Sequence, residues 1–198
     1  MSGTDPAELL DEVVRGRDSD MWADTGRAGL LVLREELSKR WGWGDRWRDV
    51  YPTQRIDGLN EASAAIAARW PNEFLEVFAN RRFDRDEFVL CGLGQIDDER
   101  ATERLARAST ARGLFSSFTR KWAAIGLGRR PSDLATDALL RLLRDRDYLV
   151  RAHTYESLGA IGDRRALQAL AEFRAPSTRE QEFANDARAL IEQRLAGT

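Results

Sequence analysis

Apolar residues recur along this chain at the spacing of helices, not strands. Asp5-Pro6-Ala7-Glu8 sets a capping side chain, a proline at the first helical position and a reciprocal glutamate ahead of Leu9, Leu10, Val13 and Val14, which predicts a short first helix. Leu30, Leu33, Leu37 and Trp41 share one face of a second helix, expected from about Thr25 to Arg40 and stopped by Gly42. Between Trp41 and Leu59 the period dissolves among glycines, Pro52 and Asp57-Gly58, and a long ordered loop is expected there. Ala62, Ile66 and Trp70 mark a third helix, which Pro71 interrupts. Asn72 then opens a fourth, with Phe74, Val77 and Phe78 as its apolar stripe, ending near Asn80.

From Arg85 onward the chain repeats itself at the length of one helical hairpin. Gly94 lies in Leu93-Gly94-Gln95-Ile96-Asp97-Asp98, Gly126 in Ile125-Gly126-Leu127-Gly128 and Gly159 in Leu158-Gly159-Ala160-Ile161-Gly162-Asp163, at spacings of 32 and 33 residues. Glycine near a helix end costs about 1 kcal/mol relative to alanine. Its recurrence therefore calls for a left-handed exit or a close backbone contact at an interhelix corner. Each glycine precedes a capping residue for the next helix, Asp98, Ser132 or Asp163. The second helices carry apolar stripes: Leu105 to Ala108, then Leu134, Ala138, Leu139, Leu142 and Leu143, then Leu167, Leu170 and Phe173. Burying each such Leu or Phe contributes roughly 1.5–3 kcal/mol, and one hairpin cannot cover both of its faces, so the units must stack. Glu180 to Ala196 reads as a last polar helix that caps the stack. The predicted architecture is all-α, an α-solenoid of stacked helical hairpins with about ten to eleven helices. Residues 1–80 are expected to form an N-terminal helical region packed onto the array, and 81–198 the repeats with their capping helix.

The run Leu142-Leu143-Arg144-Asp145-Arg146-Asp147-Tyr148-Leu149-Val150-Arg151, followed by Leu158-Gly159-Ala160-Ile161-Gly162-Asp163, resembles a HEAT-like repeat of the short bilin-lyase type. Weaker copies extend the resemblance over about Arg85 to Phe173, the earlier ones without the Val-Arg pair. Repeats of this kind occur in partner-binding scaffolds, chromophore-attaching lyases, metal hydroxylases and DNA glycosylases, so the resemblance implies a fold more than a task. It also implies that second helices line a concave side, where Arg104, Arg107, Asp137, Arg141, Arg144, Gln168 and Glu172 would make a mixed-charge groove or a plain solvated face.

Composition narrows the partner. The 198 residues are 42% hydrophobic and 32% charged, enough for a core and for solvated helix faces in one continuous architecture. A net charge of -2 and a pI near 5.6 leave no global positive field for a phosphate backbone, so nucleic acid is not the expected partner. Lys39 and Lys121 are the only lysines; the remaining cations are arginines, whose planar forks suit carboxylates, phosphates and aromatic faces. The single Cys91, in Phe88-Val89-Leu90-Cys91, excludes an internal disulfide and reads as core in a reducing compartment. Met1 to Asp11 has no basic-then-apolar pattern and nowhere do eighteen apolar residues run together, so no membrane association and a cytoplasmic location are expected.

The most suggestive local feature is the loop, where Trp41, Trp43, Trp47 and Tyr51 interleave with Arg46, Arg48, Asp45 and Asp49. Two readings stay open: a recognition patch, since tryptophan and arginine are enriched at binding hot spots, or a plug whose indoles close the open end of the array. Asp84-Arg85-Asp86 and Asp145-Arg146-Asp147 resemble metal-binding carboxylate pairs, but both stand where helix caps are needed and no further ligand follows. His153, the only histidine, is expected to pack with one hydrogen bond near Tyr155 and Glu156, as no spacing of Ser157 or Thr154 picks out a nucleophile. One histidine cannot supply the several His-Glu pairs of the repeat-type hydroxylases. Gly92-Leu93-Gly94 and Gly126-Leu127-Gly128 lack the lysine and the strand-to-helix context of a phosphate loop. No catalytic constellation and no cofactor or metal is called for. The expectation is a scaffold that binds another protein, an adaptor or immunity-type binder, through its helical face and the Trp/Arg loop. The alternatives are an enzyme of the HEAT-like class acting on a hydrophobic small molecule, or a nucleic-acid-binding, DNA-glycosylase-like protein.

Overall fold

The computed structural model describes residues 5–17, 19–39, 53–113 and 116–197, and divides the chain into two compact units, Met1–Ile96 and Asp97–Thr198. Among the described residues there are twelve α-helices, one more than the expected range, and no strand.

In the first unit, α1 (Pro6–Val14) begins as the sequence implies: the Asp5 carboxylate accepts from the Ala7 N–H at 3.0 Å and Leu10, Val13 and Val14 turn inward. A short α2 (Asp20–Ala23) was not expected. It is too brief to show a period, and it exists because Trp22 is fully buried with its indole N–H donating to the Ala62 carbonyl at 2.8 Å. Next, α3 (Gly26–Lys39) buries the foreseen Leu30, Leu33 and Leu37. The C-terminal part of the expected loop is helical instead, since α4 spans Thr53–Arg69 and takes in Asp57-Gly58, while the part before residue 53 lies outside the described residues. Gly58 serves close packing there, not a turn: a Cβ would lie 2.5 Å from the Val14 Cα, so only glycine lets α4 approach α1 this closely. Pro71 is the first residue of α5 (Pro71–Val77), one residue earlier than expected, and Trp70 before it donates from its indole to the Ala23 carbonyl at 2.8 Å. A 3-10 turn at Arg81–Arg85 buries Phe83 edge-on to Phe78, and α6 (Glu87–Leu93) is capped by Asp86, which accepts from the Phe88 and Val89 amides. Cys91 is half-buried, less so than expected, because its sulfur faces the Asn60 carbonyl of α4.

The second unit is built in hairpins: α7 (Glu99–Ala108), α8 (Ser116–Leu127), α9 (Asp133–Leu142), α10 (Tyr148–Ile161), α11 (Arg164–Glu172) and α12 (Thr178–Ala196). Neighbours pack in two rows, α8 on α10 on α12 and α7 on α9 on α11, with α8 also against α7 and α9, α10 against α9, and α12 against α11. The anticipated caps are all made. Asp98 accepts from the Arg100 amide at 2.7 Å, Ser132 from Ala135 at 3.1 Å, and Asp163 from Arg165 and Ala166 at 2.8 and 3.0 Å.

The three repeating glycines stand at like positions, Gly94 as the residue after α6, Gly126 in the last turn of α8 and Gly159 in the last turn of α10. None has a positive φ, so the left-handed exit is not their role. Close contact is the role at Gly159, where a Cβ would sit 3.3 Å from the Ala187 Cα of α12. Leu139, Leu142, Leu143 and Leu170 are buried as expected. Leu134 is instead 37% exposed, because it stands in the first turn of α9 beside the outward Asp133, and Leu167 and Phe173 are half-buried.

Two arginine clasps join successive hairpins. Arg120 of α8 donates to both carboxylate oxygens of Asp145 at 2.5 and 2.9 Å, and to the Ala111 carbonyl at 3.0 Å. Arg151 of α10 repeats the pattern on Glu180 of α12 at 2.6 and 2.9 Å, with its third contact to the Asp145 carbonyl at 2.7 Å. These side chains are 9% and 8% exposed in the first pair, 11% and 4% in the second. Such bidentate, charge-assisted bonds hold the spacing of adjacent repeats more strictly than apolar contact alone.

Candidate functional site

Of the residues expected to form the site, Trp41, Trp43, Arg46, Trp47, Arg48 and Tyr51 lie outside the described residues. The others are on second helices or just beyond them. Arg104 is buried on α7 and Arg107 is exposed on the same helix. Asp137 and Arg141 are on the outer side of α9, with Arg144 in the turn that ends it. Asp137 is engaged: Arg165 of α11 bridges it at 3.0 Å, Asp133 at 2.8 Å and Asp163 at 2.8 Å, an exposed four-residue network.

Arg141 and Arg144 are brought together with residues that were not foreseen. The period that turns Leu139, Leu142 and Leu143 inward leaves 141 and 144 outward. Asp145 fixes the following turn by accepting from the Asp147 amide at 2.9 Å while it pairs with Arg120. Arg120 in turn reaches Ser116 at 2.6 Å and the Ala111 carbonyl, so a single guanidinium positions the connectors that follow α7 and α9. Between these connectors lies an open cleft of about 580 Å³ in which five arginines, Arg112, Arg120, Arg141, Arg144 and Arg146, face one carboxylate, Asp145. Burial alone would raise the Asp145 carboxyl; the Arg120 hydrogen bonds and the Asp147 amide outweigh it and hold the group below its usual 3.8.

A second open cleft of about 460 Å³ shares Arg141 and Arg144 and continues over Leu140, Leu143 and Phe173 to Glu172, whose carboxylate accepts from Gln168 at 2.9 Å. The sequence did hold a signal for the missed arginines. Arg112 and Arg146 are 34 residues apart, close to one repeat, so the register itself places them on consecutive connectors.

A third, mostly apolar furrow of about 320 Å³ runs between α10 and α12, lined by Ala152, Tyr155, Phe183, Ala187 and Leu190 with His153 at its rim. His153 shares one hydrogen bond with Glu156 at 3.2 Å. Burial and the neighbouring Glu180 charge raise the Tyr155 phenol to about 12, so it stays protonated throughout the neutral range. No group of three or more His, Cys, Asp and Glu able to hold a metal ion occurs among the described residues. Asp86 and Asp147 act as helix caps, and Asp145 is held by Arg120. No helix of the described residues is long and apolar enough to cross a membrane.

Stacked hairpins with clasped repeats define a class, the α-solenoid. Residues 116–191, the stretch from α8 into α12, match the family model described as HEAT repeats. Repeats of this family generally mediate protein–protein interactions as scaffolds. No curated protein matches the chain. Among solved structures it is similar to a crystal structure of an engineered protein from the Northeast Structural Genomics Consortium, at 16% identity and a TM-score of 0.49 over 96% of this chain and 97% of that one.

Proposed function

We propose that the chain is a non-catalytic protein-binding scaffold, an adaptor or immunity-type binder, whose second-helix face takes up its partner, with the Trp/Arg segment 41–52 as an additional contact. The observation that carries this reading is the pair of open clefts joined at Arg141 and Arg144 on the row of second helices. They combine exposed guanidiniums with apolar side chains, the mix that favours protein contact surfaces. Open, shallow clefts of this kind enclose a small substrate poorly.

A photocrosslinking residue introduced at Glu172, beside the clefts, and separately at Glu182, on the exposed side of α12, tests the face. Illumination in extract of the native host is expected to give a discrete protein adduct from position 172 and none from position 182. Adducts of equal yield from both positions, or none from 172, would overturn the assignment.

The apolar furrow between α10 and α12 supports a second reading, a hydrophobic small molecule held beside His153. The dye anilinonaphthalene sulfonate should then brighten on the protein and lose that signal in Leu190→Glu; an unchanged signal in the variant removes this reading.

A further inference from the structure

The two clefts that meet at Arg141 and Arg144 differ in chemistry, and the difference specifies a ligand. In the larger one Asp145 is consumed by Arg120, while Arg112, Arg141, Arg144 and Arg146 form no ion pair among the described residues. Four guanidiniums around one cleft, in a chain of net charge -2, are a local positive site and not part of a general basic surface. Holding like charges together costs energy unless a counter-charge arrives, and planar forks favour carboxylates or phosphates that accept two bonds at once.

The smaller cleft decides between those anions. From the same two arginines it runs over Leu140, Leu143 and the half-buried Phe173 and ends on the Glu172 carboxylate. Farther along the same pair of helices stand Asp133, Asp137 and Asp163, which Arg165 only partly offsets. A nucleic-acid strand laid along this row would bring phosphates against Glu172 and the aspartates. A peptide meets no such conflict, since its charge can stop where the arginines stop.

Resting on the protein-partner reading above, we infer that the joined clefts bind a partner segment in which a run of acidic residues is followed by a large apolar one. The carboxylates lie among Arg112, Arg141, Arg144 and Arg146, and the apolar side chain lies over Leu140, Leu143 and Phe173.

The test uses the full chain and a fluorescent peptide made of a glutamate run ending in phenylalanine, read by anisotropy. Companion probes replace the glutamates by glutamine, replace the phenylalanine by alanine, or are an oligothymidylate of equal length. The glutamate–phenylalanine peptide is expected to bind at least about tenfold tighter than its glutamine version and to weaken as salt is raised. The double change R141E and R144E should cut its affinity by about tenfold or more while the helical circular dichroism is kept. Arg179→Glu, a single charge reversal on α12, should leave it unchanged, whereas R141E alone, of equal charge change, should already weaken it. Phe173→Ala should weaken the phenylalanine peptide several-fold and the alanine version hardly at all.

Equal binding of the glutamine peptide, indifference to R141E and R144E, tighter binding of oligothymidylate, or no binding of any probe would each overturn the inference. If the crosslink at position 172 forms while the peptides fail, the scaffold reading survives and the acidic-ligand assignment alone falls. If the crosslink fails as well, both fall.

Discussion

In the first unit large rings are fully buried among the aliphatic side chains and the ion pairs lie at or near the surface; in the second, the core is mostly leucine and alanine and two arginine–carboxylate pairs lie inside. Trp22, Phe74, Phe78, Phe83 and Phe88 are fully buried in the first unit, and its indoles at Trp22 and Trp70 satisfy their N–H groups on backbone carbonyls. Arg17–Glu12, Arg27–Glu76 and Arg69–Asp24 stand largely in solvent. In the second unit Tyr155 is the one fully buried ring among the described residues, and alanines at 123, 124, 135, 138, 184 and 187 let helices lie close. Large rings fill an irregular interior by shape, without any fixed period. A row of similar hairpins needs something that fixes their spacing, and directional salt bridges at repeat intervals provide it. The contrast implies that acid and charge changes act mainly on the second unit, and packing changes mainly on the first.

The hardest test of that contrast is Glu180→Leu, which leaves Arg151 buried without its carboxylate. It should destabilise the second unit by about 3 kcal/mol, the lower end of the cost of breaking a buried pair. Hydrogen exchange read separately for 97–198 and for 5–96 checks it, since protection should fall in the first of these segments and hold in the second. Adding Arg151→Met to Glu180→Leu should recover most of the loss. The same pair sets a pH dependence. The Arg151 hydrogen bonds hold the Glu180 carboxyl below its usual 4.5. A group whose pKa is lower in the folded state contributes fully above its unfolded pKa and loses that contribution as pH falls through the folded value. Stability of the second unit should therefore decline as the pH drops below about 4.5, and the decline should be shallower in Glu180→Gln. Denaturant midpoints measured across acid pH would show it; parallel curves for the two proteins would remove Glu180 as the cause.

Gly58→Ala probes the other side of the contrast. The added Cβ would meet backbone of α1, at 2.5 Å from the Val14 Cα, and backbone cannot swing aside as a side chain can. The expected loss is about 1–3 kcal/mol from overpacking, set against roughly 1 kcal/mol gained in helix propensity. Exchange protection should fall in α1 and α4 and remain in α7 to α12. A gain in stability would mean that Gly58 serves something other than close packing.

What could be foreseen from the chain follows the same division. The hairpins were legible because Gly126 and Gly159, the caps Ser132 and Asp163, and the leucines of α9 recur at a nearly constant interval. Arg112 and Arg146 could have been found by that register, but arginines in connectors carry no amphipathic signal, so helix periodicity passes over them. In the first unit the Trp22 helix has only four residues, and Asp57-Gly58 reads as a turn when it is in fact a contact point within α4. Both depend on what lies opposite in space, at Ala62 and Val14, which local sequence does not contain. The arginine clasps were hidden for a similar reason. Arg120 and Asp145 are separated by a whole hairpin, and the carboxylate that suggested a metal pair or a cap is committed to the guanidinium.

Smaller effects sharpen the comparison within the second unit. Asp163→Ala removes a carboxylate that accepts from two free amides at the start of α11, and should cost about 1 kcal/mol. Arg165→Ala removes three ion pairs to Asp163, Asp137 and Asp133, yet all of these groups are substantially exposed. Water and salt already screen them, and the long side chain gives up its freedom to reach them. Arg165→Ala is therefore expected to leave the denaturant midpoint within the scatter of the wild type in high salt, with at most a small decrease in low salt. If this variant cost as much as Glu180→Leu, the number of ion pairs, not their burial, would govern stability here. The distinction between clasps inside the array and charges on its face would then lose its basis.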